Sequence, residues 1–272
     1  MPLPTPAPDS AALVTGASAG IGRAIAHELA ARGHNVILVA RRKPQLQALA
    51  EELSEQHRIR AEPIACDLAK PTPRERLPGQ IEKLGLDVDL LINNAGFATG
   101  GPFHESDTER ELQQVRLLVE NVVALTSMFS PAMVDRERGA ILNVASTAGM
   151  QPMPYSAGYA AAKAYILSFS EALHYELRPH GVVVTALAPG PVKTEFWEIA
   201  QWEVASGDSF EDAIPSQAMI TPEQAAKAGI DGLAAGRRVV VPGLPMRTAM
   251  QAARYLPHAL KLPTIEWIMR RR

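Results

Sequence analysis

Between Ser146 and Lys163 a tyrosine and a lysine stand four residues apart. In a helix that spacing puts Tyr159 and Lys163 one turn apart on one face, an ammonium beside a phenol. A free tyrosine titrates near pH ~10, and a close cation favours the phenolate and lowers that value toward neutrality. Tyr159 is therefore a candidate general acid or base. Ser146 closes the apolar run from Ala140 to Ala145, which reads as a buried strand, so its hydroxyl emerges at a strand's carboxyl end. A tyrosine and lysine so spaced also arise by chance as a half-buried ring and a solvated ammonium. The chemistry stands only if the rest of the chain supplies a cofactor and a frame.

The first part of the frame is an apolar strand, Ala11 to Thr15, running into ThrGlyAlaSerAlaGlyIleGly at residues 15–22. Gly16, Gly20 and Gly22 allow a tight turn and close approach to a ligand, and the helix from Ile21 to Arg32 aims its positive end at the same place. A pyrophosphate suits that position. A second strand, Asn35 to Ala40, is followed by Arg41, Arg42 and Lys43 with no acid. A carboxylate there would accept bonds from an adenosine ribose, whereas cations attract a 2′-phosphate, so NADP(H) is favoured over NAD(H). The alternative is a solvated basic start to the next helix.

A third strand, Ala61 to Ala65, leads to Asp67, which can accept a bond from an adenine amino group or cap the following helix. The fourth, Val88 to Ile92, runs into AsnAsnAlaGly at residues 93–96. There Asn93 can tie neighbouring strands and the small residues can admit a flat ring. The helix over residues 107–135 carries Asn121 in an apolar stretch, an unfavourable place unless its amide holds a water or bonds to a carbonyl. The fifth strand ends at Ser146, and the helix from Tyr155 to Leu177 carries Tyr159 and Lys163. The sixth, Val182 to Leu187, precedes ProGlyProValLysThr at residues 189–194, a rigid turn whose backbone could contact a carboxamide, with Thr194 as a donor. A seventh, Gly236 to Pro242, closes the sheet. Strands alternating with helices predict a parallel sheet with helices on both faces and ligands at the strands' carboxyl ends.

The 272 residues, 47% hydrophobic, suffice for one core. A net charge of −2 gives no reason to expect nucleic acid as a partner. The single cysteine, Cys66, excludes an internal disulfide and a cysteine metal cluster, reads as core, and fits a reduced, cytoplasmic setting. No apolar run approaches the roughly 18 residues that span a bilayer, and no signal peptide is visible at the proline-rich start. Residues 1–9 read as a disordered arm, residues 10–243 as the domain, and residues 244–272 as a tail. The tail holds Arg247, Arg254, Lys261, Arg270, Arg271 and Arg272 against Glu266 alone, a net +5.

Taken together, TGxxxGxG at 15–22, NNAG at 93–96, Asn121, Ser146, YxxxK at 159–163 and PGPVxT at 189–194 make the chain resemble the short-chain dehydrogenase/reductase family. The resemblance covers roughly residues 10–243. It implies an α/β Rossmann-like doubly wound parallel sheet of about seven strands. Tyr159 would then protonate the substrate oxygen as hydride arrives, and Ser146 would bond to the developing alkoxide. Lys163 would lower the tyrosine pKa and hold the nicotinamide ribose, and Asn121 would hold a water linking Lys163 to solvent. The implied cofactor contacts run from Gly16, Ser18, Gly20, Ile21 and Gly22 through Arg41 and Arg42 to Asp67 and Leu68 at the adenine. Asn93, Ala95 and Gly96 would face the ribose, and Pro189, Gly190, Val192 and Thr194 the carboxamide. A homodimer or homotetramer paired through the two long helices is implied in the same way.

After Thr194 a segment rich in large apolar groups suggests a lid over residues 195–221, with Phe196, Trp197, Trp202, Phe210 and Ile214. Phe97, Phe103, Met150, Met153 and Tyr155 would line the other walls of an apolar substrate site. The alternative is a segment packed on its own domain or on a second subunit. The leading expectation is an NADPH-dependent reductase of lipophilic ketones or aldehydes, working in reverse as an alcohol dehydrogenase. A 3-oxoacyl thioester reductase is the second reading, and a non-catalytic, NADP(H)-binding regulatory subunit the third. In the basic, apolar tail, which includes Met246 and Met250, Pro257 and Pro263 are expected to prevent one long helix. The tail suits peripheral contact with an anionic membrane, or covers the active site or a partner subunit as a packing element.

Overall fold

The computed structural model describes residues 3–196, 219–253 and 255–269. Trp197, Trp202, Phe210, Ile214 and most of the expected lid lie outside the described residues. Seven strands form one sheet: β1 (Ser10–Thr15), β2 (Asn35–Ala40), β3 (Ala61–Ala65), β4 (Asp87–Asn93), β5 (Gly139–Val144), β6 (Val182–Leu187) and β7 (Val239–Val240). Their order is β3-β2-β1-β4-β5-β6-β7, and every pair is parallel. β1, β5 and β6 are buried along their whole length, as near-continuous apolar runs require when both faces are covered.

One face packs against α1 (Gly20–Ala31), α2 (Lys43–His57) and α8 (Pro222–Ala234), through Ile25, Leu29, Leu46, Leu53, Ile230 and Leu233. The other is covered by the short α3 (Pro71–Glu75) and α4 (Leu77–Glu82), by α6 (Asn121–Asp135) and by α7 (Ala157–Leu177), with Leu77, Ile81, Leu125, Phe129 and Met133 in its core. The strand order reverses between β1 and β4, which opens a crevice at the carboxyl ends.

Four features differ from expectation. Residues 3–9 are packed, not a free arm: Leu3 lies on the core, Asn35 Nδ2 donates to the Ala7 carbonyl at 3.1 Å, and Asp87 N–H donates to the Asp9 carbonyl at 2.7 Å. The last strand pairs only over two residues, because Gly236, at φ +63°, and Arg237 bond back to Leu233 and Gly232 to close α8. The helix over residues 107–135 is one rod made of α5 (Thr108–Val115), a π-helical turn (Arg116–Glu120) and α6. Its most apolar 18-residue window has a mean hydropathy of 1.5, enough by length and composition to cross a bilayer, although α6 packs on β4 and β5. Finally, the tail folds as α9 (Leu244–Ala253) and α10 (His258–Met269). Pro257 separates them, but Pro263 sits inside α10, where its missing N–H forfeits only one helical bond, to Ala259.

Candidate active site

The β1–α1 turn is shaped by Gly16 at φ +66° and Gly20 at φ +53°. α1 begins without a side-chain cap and without an acid in its first turn, so its leading N–H groups remain available to an anion in the crevice. The cleft has a volume of about 760 Å³. Its walls include Gly16, Ser18, Gly20, Ile21, Arg41, Arg42, Asp67, Leu68, Ala95, Gly96, Ser146, Tyr159, Lys163, Pro189, Gly190, Val192 and Thr194. The structure therefore brings most of the expected site residues to a single cavity.

The site is held from behind by buried amides. Thr15 Oγ1 donates to the Ile92 carbonyl at 2.9 Å and accepts from the N–H groups of Asn94 (2.9 Å) and Ala95 (3.0 Å). Asn94 Nδ2 donates to the Thr15 carbonyl at 2.9 Å, clamping the glycine turn. Asn93, expected at the ribose, instead points away from the cleft and donates to Asn143 Oδ1 at 2.8 Å, because β4 still alternates its faces there. Its strand-tying role is as anticipated. Gly22 also lies outside the cleft wall. A Cβ there would collide with the Gly16 carbonyl and the Asn94 amide, so this glycine lets α1 close on the turn rather than meeting a ligand.

Ser146 begins a short 3₁₀ turn (Thr147–Met150), its Oγ accepting from Ala148 N–H at 3.1 Å, and it hydrogen-bonds Tyr159. Lys163 Nζ donates to the Val144 carbonyl at 2.7 Å and lies 5.7 Å from the Tyr159 ring centre. The expected lowering of the tyrosine pKa is not what this environment produces. Burial pushes the Tyr159 phenol up to about 12, the Ser146 hydrogen bond pulling the other way, and burial lowers Lys163 to about 8. Loss of hydration penalises phenolate and ammonium alike, and it is the leading cause at both groups.

Asn121 follows the π-helical turn, in which its N–H reaches back to the Arg116 carbonyl. Both amide atoms of its side chain are buried with no hydrogen-bond partner among the described residues. The bond to a backbone carbonyl considered from sequence is not made there, while a site for a small polar guest fits. Asp67 Oδ1 accepts from Ala69 N–H at 3.3 Å, four residues before α3 begins, so it does not cap that helix.

On the substrate side, Phe97, Met153 and Phe196 line the cleft, and Phe196 lies against Tyr159 with ring centres 5.8 Å apart. Tyr155, at φ +61°, packs behind this wall and borders a separate small cavity, its carbonyl accepting from Gly101 N–H. Phe103 is 67% exposed, and Met150 packs with Val122 and Ile166, so neither forms a wall. Met246 and Met250 of α9 line the cleft one helical turn apart, so this part of the tail does cover the site, one of the roles open to it from sequence. Gly149 was also missed: a Cβ there would lie 2.5 Å from the Lys163 backbone, so its absence lets the Ser146 turn rest on α7. Its only sequence signal is a small residue three places after Ser146.

A model of the short chain dehydrogenase family matches residues 10–203. The chain is 32% identical over 205 residues to a very-long-chain 3-oxoacyl-CoA reductase of Bos taurus, covering 73% of this chain and 65% of that one. It is 35% identical over 185 residues to 17-beta-hydroxysteroid dehydrogenase type 3 of Rattus norvegicus, covering 67% and 60%. A solved short-chain dehydrogenase from Sphingobium yanoikuyae in complex with NADPH superposes with a TM-score of 0.80 at 30% identity, over 93% of this chain and 94% of that one. The chain belongs to the short-chain dehydrogenase family, a family of nicotinamide-dependent oxidoreductases acting on CH–OH and C=O groups. The matches span less than two thirds of the length of the two curated relatives.

Proposed function

We propose that this chain is an NADP(H)-dependent oxidoreductase that interconverts a lipophilic ketone or aldehyde and its alcohol. The observation that carries this reading is one cleft holding Ser146, Tyr159 and Lys163 together with Ser18, Arg41 and Arg42. Gly16 and Gly20 with the uncapped start of α1 would hold the pyrophosphate, Arg41, Arg42 and Ser18 the 2′-phosphate, and Asp67 and Leu68 the adenine. Ala95 and Gly96 would pass along the ribose, and Pro189, Gly190, Val192 and Thr194 along the carboxamide. When bound, the reduced nicotinamide supplies a hydride to the carbonyl carbon.

The chain's own part is the proton. Tyr159 donates its phenolic hydrogen to the carbonyl oxygen, Ser146 steadies the charge that develops there, and Lys163 returns a proton to Tyr159. The buried amide of Asn121 is suited to hold a water that relays protons to Lys163. Met153, Phe196, Met246 and Met250 give the substrate an apolar wall, and Met side chains adapt to irregular shapes.

A second reading, a 3-oxoacyl thioester reductase, is favoured by the resemblance to the Bos taurus reductase. Exposed Leu112, Val115, Tyr165 and Tyr175 on α5 and α7 support pairing of two copies through these helices, and the outer face of the tail supports contact with an anionic membrane. Oxidation of NADPH and NADH should be followed against alkyl and cyclic ketones, aldehydes and 3-oxoacyl thioesters of graded length, with Tyr159→Phe alongside. Turnover of free ketones with NADPH, reduced about 1,000-fold or more in the variant, is expected. Turnover confined to thioesters would select the second reading. NADPH binding without turnover of any carbonyl would favour a regulatory subunit.

A further inference from the structure

Arg42 and Glu195 meet across the mouth of the proposed cofactor cleft. Arg42 follows β2, Ser18 sits in the β1–α1 turn, and Glu195 comes directly after Thr194. Arg42 Nη2 donates to Glu195 Oε1 at 2.5 Å and Nη1 to Oε2 at 3.2 Å, a fork-on-fork pairing. The other edge of the same guanidinium, Nε and Nη2, donates to Ser18 Oγ at 3.2 and 3.0 Å. The carboxylate thus occupies an anion seat made by Arg42 beside Ser18. Arg41, on the same wall, makes no ion pair among the described residues.

We propose that Glu195 is a cofactor-selectivity residue, a resident carboxylate in the seat that a 2′-phosphate must take, so that it opposes NADP(H) and tolerates NAD(H). This deepens, and rests on, the reading of Ser18, Arg41 and Arg42 as the 2′-phosphate site. A 2′-phosphate carries roughly two negative charges and needs the guanidinium fork that Glu195 fills. It can enter only by turning the carboxylate aside or by lying against a like charge. A 2′-hydroxyl has no such conflict, since it can donate to Glu195 as it would to the acid that many dinucleotide sites place after the second strand. That acid is missing at residues 41–43, and Glu195 supplies one from the other side of the cleft. The pair is breakable, with side chains 41% and 39% exposed, so it weakens NADP(H) binding without excluding it and narrows the margin over NAD(H) that Arg41 and Arg42 provide.

The test is direct binding of NADPH and NADH, read by nucleotide fluorescence at low and high salt, in the wild type, Glu195→Gln, Arg42→Ala and the double variant. Glu195→Gln is expected to tighten NADPH three- to tenfold, to leave NADH unchanged or weaker, and to have no effect in the Arg42→Ala background. The gain should shrink as salt rises. NADPH preference in the wild type with NADPH binding unchanged or weakened in Glu195→Gln would overturn the role of Glu195 alone. Equal wild-type affinity for both nucleotides, untouched by Arg42→Ala, would overturn the 2′-phosphate reading beneath it.

Discussion

Tyr159 and Lys163 are both removed from water, and their proton affinities move toward each other's disadvantage: about 12 for the phenol and about 8 for the ammonium. A phenol that keeps its proton at neutral pH is suited to donate it to a carbonyl, and a lysine near 8 can replace it. Reduction should therefore lose rate above about pH 8 as Lys163 gives up its proton. The same groups leave a mark on stability. Lys163 is depressed in the fold, so between about 8 and 10.5 the unfolded chain binds a proton that the folded chain does not, and this group's contribution to stability rises with pH. Tyr159 is raised, so its contribution is whole below 10 and is lost as pH climbs toward 12. Lys163→Met should remove the limb near pH 8 from whatever reductive rate survives. Its stability advantage over the wild type should fall by roughly 3 kcal/mol between pH 8 and 10.5. Denaturant melts at stepped pH measure this, and a gap that does not vary with pH would refute the buried-ammonium account.

Residues of this kind were legible in the sequence because spacing alone fixes them. A tyrosine and a lysine one turn apart share a face whatever surrounds them. Asn93 and Asn94 show the opposite case: neighbouring identical side chains at the end of β4 point to different sides, and one residue of register decides which meets the cleft. The proton affinities were illegible for a further reason. They depend on how completely packing excludes water, which distant residues such as Met269 help to determine.

At the level of elements, the distance between the Ser146 turn and α7 governs whether the Ser146 and Tyr159 hydroxyls can meet. Gly149 sets that distance, because a Cβ would lie 2.5 Å from the backbone carbon of Lys163 and 2.7 Å from Ala164 N. Neither is a movable side-chain tip, so Gly149→Ala must lift the turn by about 1 Å, a displacement that can cost about 100-fold in rate. We expect kcat to fall by about 100-fold in Gly149→Ala while NADPH affinity stays within about twofold, since the phosphate end of the cleft is untouched. Equal losses in binding and turnover would mean that the turn supports the cofactor as well. The π-helical turn before Asn121 belongs to the same level. Sequence periodicity placed the helix over residues 107–135, but one extra residue in a turn leaves no trace in an apolar pattern. The strands were legible nearly to the residue because buried parallel strands are apolar throughout, whereas β7 looked longer than it is because Arg237 serves the end of α8.

Over the whole molecule, α10 joins the interior to the outside. Lys261, Ile265 and Met269 recur every four residues on its inner side, and Ile265 and Met269 pack in the cluster that contains Tyr159 and Leu118. Leu260 and Trp267, seven residues apart, point outward at 66% and 76% exposure, and Tyr255 and Leu256 just before the helix are 86% and 50% exposed. Composition showed that the tail was basic and apolar but could not divide it into two faces, since that division depends on where α10 docks. The outer face, with the tail's net +5, has the chemistry of a surface that settles on anionic lipid. Co-sedimentation with phosphatidylserine vesicles should be strong at low salt, weak at high salt and weak on neutral lipid. Leu260→Ser with Trp267→Ser should reduce it by roughly 30-fold or more, from about 2 kcal/mol or more of lost apolar burial, and leave the melting temperature unchanged. Met269→Ala should do the reverse: full vesicle binding, a stability loss of roughly 2–5 kcal/mol, and altered turnover of bulky carbonyls as the wall behind Tyr159 loosens. If Met269→Ala and the outer double variant behave alike, the two faces of α10 are not separate surfaces, and the tail is a packing element alone.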